Sequence, residues 1–136
     1  MELLYYDAAV RAGFPSPATD YLEERIDLNK EFIDHPHSTF LVSTIGDSMI
    51  GAFIPPKATL VVDRSVLPQN GHIVVAVLNG EFTVKFLQKN DHFCRLVPAN
   101  RKYPEVRITP EMDMQIWGVV TRIIIDPKEL RPCMPW

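Results

Sequence analysis

HIVVAVLNGEFTVKFLQ, residues 72–88, decides the fold. Two runs rich in β-branched and aromatic residues flank Asn79-Gly80, and such runs suit strands. Both central positions of a two-residue hairpin turn need positive φ, which Asn and Gly tolerate. A two-residue loop fixes the register, so Leu78 faces Glu81, Ala76 faces Thr83 and Val74 faces Lys85. Side chains alternate along a strand, which puts Phe82, Val84 and Phe86 on one face and Thr83, Lys85 and Leu87 on the other. HIVVAVL is apolar on both faces, so the hairpin belongs at the centre of a sheet covered on both sides.

Working outward, FLV (40–42), TLVVDRS (59–65), FCRLVPA (93–99) and QIWGVVTRIII (115–125) also read as strands. The fold is therefore mainly β over residues 40–125. Residues 1–17 read as an extended N-terminal arm ending in AGFPSP, because Pro15 and Pro17 oppose helix in the residues before them. Residues 18–39 hold one short helix, with Asp27 as the cap of LNKEFI and His35-Pro36 as its end. A longer helix across Asp20 to Arg25 is an alternative. The tail PKELRPCMPW (127–136) reads as a surface extension.

At 136 residues the chain suits one domain and needs no disulfide or metal staple. Cys94 and Cys133 lack zinc spacing, and a reduced, cytoplasmic setting is expected. The start of the chain carries no basic leader followed by an apolar run. No stretch approaches the ~18 apolar residues of a membrane span. With 14 basic against 17 acidic residues, net charge −3, no basic patch supports direct sequence-specific DNA binding. No metal or other cofactor is expected.

Two residues stand out. Lys85 sits on a covered strand beside Val74, Ala76 and Leu87. It either snorkels to solvent or is desolvated and kept neutral to act as a base. IGDSMI (45–50) interrupts apolar sequence with Gly46-Asp47-Ser48, which is either an ordinary turn or a presented nucleophile. Gly46 permits a backbone in which the amides of Asp47 and Ser48 point the same way, as an oxyanion hole requires. His35, His37, His72 and His92 lack any triad context, so a Ser–Lys dyad fits better. Thr83, on the Lys85 face, reads as a packing residue with a hydrogen bond to the amine as the alternative.

AGFPSPATDYLEERIDLN (12–29), GDSMI (46–50), GEFTVKFLQ (80–88) and GVV (118–120), in that order, closely resemble the UmuD-like members of the LexA-like self-cleaving serine peptidases. The likeness runs from about Ala12 to about Ile124. It implies a LexA-like peptidase domain of twisted antiparallel sheets, residues 18–136, with a short N-terminal helix and the self-cleavage site in the arm, residues 1–17. Ser48 falls on the nucleophile, Lys85 on the general base, and Ala12-Gly13 on the scissile bond. The resemblance also implies a homodimer and docking on a RecA–single-stranded DNA filament, which stimulates the cut. The trimmed dimer then joins a UmuC-type subunit of a translesion DNA polymerase.

The arm ahead of Ala12-Gly13 is shorter than the family suggests, and the tail RPCMPW runs past its usual end. A LexA-type repressor is disfavoured because nothing reads as a DNA-binding domain ahead of the arm. A type I signal peptidase is disfavoured for want of a membrane anchor. The rival from another class is a non-catalytic dimeric scaffold that binds a UmuC-type polymerase, with DMQIWGVVTRIII (113–125) as its dimer strand.

Overall fold

In the computed structural model Asn79 and Gly80 both take positive φ, 49° and 85°, and the hairpin closes in the expected register. Val74 lies opposite Lys85, Ala76 opposite Thr83 and Leu78 opposite Glu81. The structure describes residues 1–6 and 23–135. The scissile pair Ala12-Gly13 lies outside the described residues.

Two compact units divide the chain, Met1–Pro36 and His37–Trp136. In the first, β1 (Leu3–Tyr6) pairs antiparallel with β2 (Glu23–Ile26), Leu3 opposite Ile26. Helix α1 (Leu28–Phe32) follows, its first turn capped by Asp27, which accepts from the Asn29 N–H at 2.9 Å. The cap is as read, but the helix ends at Phe32, short of His35. The alternative longer helix is overturned over Glu23–Arg25: these residues pair with β1 in extended backbone.

The second unit is a seven-stranded antiparallel sheet: β3 (Thr39–Ser43), β4 (Thr59–Asp63), β5 (Ile73–Leu78), β6 (Glu81–Lys89), β7 (Cys94–Val97), β8 (Val106–Arg107) and β9 (Met114–Ile124). Its order is β3-β4-β9-β5-β6-β7-β8. The long β9 serves two neighbours in turn, pairing with β5 through residues 114–119 and with β4 through residues 119–124. Gly118 lets β4 come close, since a Cβ there would lie 2.5 Å from Val62 Cγ1.

The apolar content of β5 faces two ways. Val75 packs with Met49, Ile54, Leu60 and Val62, while Val74 and Ala76 pack with Leu87, Leu96 and Val119. The hairpin is covered on both faces there, although Phe82 near its tip is exposed. The tail departs from a plain surface extension: its Arg131–Cys133 turn lies against the Ile50–Ala52 turn, and Leu130 and Cys133 are half-buried.

Candidate active site

Strand β6 pairs with β5 along its first part but meets β7 only from Phe86 onward. Its other edge is therefore unpaired over Glu81–Lys85 among the described residues, and a cleft of about 310 Å³ opens there. The cleft is lined by the end of β3, the Gly46–Met49 turn and residues 82–85 of β6.

Ser48 and Lys85, 37 residues apart in sequence, meet in this cleft with Lys85 Nζ 3.0 Å from Ser48 Oγ. The same nitrogen lies 2.7 Å from Thr83 Oγ1 and 3.0 Å from the Val84 carbonyl oxygen. Thr83 is thus a direct partner of the amine, and the packing role read for it from sequence gives way. Nζ donates to all three oxygens, so the amine has a partner on the serine, on the threonine and on its own strand's backbone. Burial pushes the Lys85 pKa down from its ordinary value, because the ammonium loses hydration. The snorkelling reading fails on geometry: the amine turns along its own strand into the cleft.

Gly46 carries φ +80°, with open space where a Cβ would stand. The following residues make a tight turn, and Met49 is buried beneath it among Ile54, Leu60 and Val75. Neither the Asp47 nor the Ser48 N–H donates to any described acceptor. Thr44 anchors the entry to this turn. Its buried hydroxyl donates to Pro55 O at 2.8 Å and accepts from the Ala58 N–H at 3.1 Å.

The exit is held by residues 98–103. The Ala99 N–H donates to Ser48 O at 2.9 Å, and Gly51 N–H donates to Ala99 O at 2.8 Å. A Cβ on Gly51 would lie 2.5 Å from that Ala99 oxygen, so the close approach requires glycine. Asn100 Nδ2 donates to Asp47 O at 2.9 Å, and the Tyr103 hydroxyl donates to Asp47 Oδ1. Thr44, Asn100 and Tyr103 escaped sequence reasoning. Their partners sit 11, 53 and 56 positions away, and no local pattern announces them.

The histidines of the second unit take no part. His37, His72 and His92 do not line the cleft, and His72 Nδ1 accepts from the Gln69 N–H at 3.1 Å. Among the described residues no group of three His, Cys, Asp or Glu side chains could hold a metal ion. Nor is any described helix long and apolar enough to cross a membrane.

A family model described as peptidase S24-like matches residues 4–121. The chain belongs to the peptidase S24-like family. Protein SamA of Salmonella typhimurium strain LT2 is 48% identical over 113 residues, covering 83% of this chain and 78% of SamA. Protein ImpA of Escherichia coli is 45% identical over 121 residues, 89% of this chain and 82% of ImpA. Protein MucA of Escherichia coli is 39% identical over 123 residues, 90% of this chain and 84% of MucA. These relatives make the chain a UmuD-like S24 protein of the SOS response. At the level of the S24-like family it is a self-cleaving serine peptidase, and the mainly β sheet fits the LexA-like S24 fold.

Proposed function

We propose that the chain cuts its own N-terminal arm, residues 1–17, between Ala12 and Gly13, with Ser48 as nucleophile and Lys85 as general base. The observation that carries this reading is the 3.0 Å approach of Lys85 Nζ to Ser48 Oγ in an open cleft. Neutral Lys85 takes the Ser48 hydroxyl proton as Oγ attacks the Ala12 carbonyl carbon. The amides of Asp47 and Ser48 hold the oxyanion. When the intermediate collapses, the Ala12–Gly13 C–N bond breaks and Lys85 returns the proton to the Gly13 nitrogen. Water then attacks the Ala12 ester, giving its proton to Lys85, and Ser48 leaves as the free hydroxyl. Upstream, Val10 fills an apolar pocket while the arm lies extended along the cleft.

The partners follow the family. A RecA–single-stranded DNA filament supplies no catalytic group; it stabilises the state with the arm docked. Raising that state from ~1% to ~99% needs ~5.5 kcal/mol of differential binding. The trimmed homodimer serves as accessory subunit of a UmuC-type translesion DNA polymerase, and the compartment is the cytoplasm.

Mass spectrometry after incubation with RecA, nucleotide and single-stranded DNA tests the reading. Loss of residues 1–12, abolished by Ser48→Ala and by Lys85→Ala, is expected. An intact chain on an active filament would overturn it and leave the scaffold role.

A further inference from the structure

The nucleophile turn has the cleft on one side and the 98–103 loop on the other. Gly46, Ser48 and Met49 line the cleft, whereas Ala99, Asn100 and Tyr103 line a separate hollow with Gly51. None of the loop residues borders the cleft, yet the loop grips the backbone carbonyls of Asp47 and Ser48.

Asn100 is itself fixed. Its Oδ1 accepts from the Lys102 N–H at 3.0 Å, and its main-chain carbonyl accepts from the Tyr103 N–H at 3.1 Å. With Oδ1 committed, Nδ2 is the atom that faces Asp47 O, at 2.9 Å. The Asp47–Ser48 peptide is trans, so its carbonyl and the Ser48 N–H point in opposite directions within one plane. Anchoring the carbonyl on the loop side therefore turns the Ser48 N–H away from the loop.

We infer that Asn100 is a positioning residue for the self-cleavage: by holding the Asp47 carbonyl, it aims the Ser48 N–H at the oxyanion. The inference rests on the Ser48–Lys85 reading above. Asn100 touches neither substrate nor either dyad side chain. It acts on one donor of the oxyanion hole. The Ile50 N–H also reaches Asp47 O, at 3.3 Å, so without Asn100 that carbonyl keeps only the longer of its two anchors and the peptide would spend the reaction partly misaligned. Tyr103 grips the Asp47 side chain from the same loop.

The test uses the full chain and follows self-cleavage by mass at a series of pH values up to alkaline. Asn100→Asp keeps the acceptor for Lys102 N–H and replaces the donor facing Asp47 O by an oxygen. Losing an oxyanion donor outright costs ~10²–10³-fold in rate, so misaligning one is expected to lower the plateau rate about 10- to 100-fold. The midpoint of the pH profile should stay where the wild type has it, because Lys85 keeps its three partners. Arg101→Ala, an exposed neighbour, should leave the rate unchanged. If Asn100→Asp does not fold, judged by circular dichroism, Asn100→Ala removes the same donor without adding an opposing oxygen.

A folded Asn100 variant that cleaves within twofold of the wild type overturns the inference. So does one whose pH midpoint shifts together with its rate, since the loop would then act on Lys85 or on the fold at large. Failure of the underlying reading is separate and visible: wild-type chain that does not cleave, or Ser48→Ala that still does.

Discussion

At the residue scale, the proposed chemistry turns on the protonation of one amine. Lys85 is held below its ordinary pKa by desolvation, so the folded chain releases that proton at a lower pH than the unfolded chain does. Between those two values the folded state binds fewer protons, and stability rises with pH; below both, the cost of burying the ammonium is fully present. Self-cleavage without a filament should therefore climb from neutral to alkaline pH and level off, and a flat rate would remove Lys85 as the base. Lys85→Arg should be inactive throughout, because arginine keeps its proton at any of these pH values. Thr83 makes a second prediction. Thr83→Val preserves shape and removes the 2.7 Å acceptor that directs one N–H. A net hydrogen bond of ~1.4 kcal/mol corresponds to about tenfold, so the plateau rate should fall by about that factor. Since Oγ1 also stabilises the ammonium, the pH midpoint should move down; an upward shift would refute this account of Thr83.

At the element scale, the site is a gap between strands. Residues 72–88 announced the hairpin because alternation and Asn79-Gly80 turn chemistry are local, and the register of Val74 against Lys85 followed from loop length alone. What could not be read was where β7 stops pairing with β6. That stop, at Val97 with Pro98 next, opens the edge beside Lys85 and sends residues 98–103 over to the Ser48 turn. The two-residue β8 and the four-residue β1 and β2 were also missed, being too short to show a period of two. Thr44 shows why the turn after β3 holds its shape, since its buried hydroxyl serves both a carbonyl and an amide of residues 55–58. Thr44→Val keeps the volume and leaves Pro55 O and the Ala58 N–H without that partner. Those two groups still meet each other at 3.3 Å, so denaturant melts should show a loss of about 1 kcal/mol, that of a net hydrogen bond. The same variant should slow self-cleavage, because the turn it frees carries Ser48. Unchanged stability would mean water reaches those groups.

At the scale of the whole molecule, the proposed cut divides one sheet and spares the other. β1 lies ahead of Ala12-Gly13 and β2 after it, whereas every strand of the seven-stranded sheet lies beyond Pro36. Cleavage therefore removes the only described partner of β2 and no strand of the larger unit. A two-stranded pair is marginal even when intact. The buried cores around Val75 and around Val74, Leu87 and Leu96 belong wholly to residues 42–125. Strand order in that unit was beyond sequence reading, because pairing β9 with both β4 and β5 joins residues 36 to 65 positions apart, a choice made by core packing rather than by local propensity. Hydrogen exchange read by mass spectrometry on the intact and the 13–136 chains should therefore change in one place. Peptides spanning Glu24–Ile26 should take up deuterium faster after trimming, since their antiparallel partner has left with the arm. Peptides from β4, β5 and β9 should exchange as before, and the denaturant midpoint of the sheet should not move. Faster exchange in β5 or β9 would mean that the arm supports the larger sheet, and an unchanged β2 would mean that β1 is not what protects it.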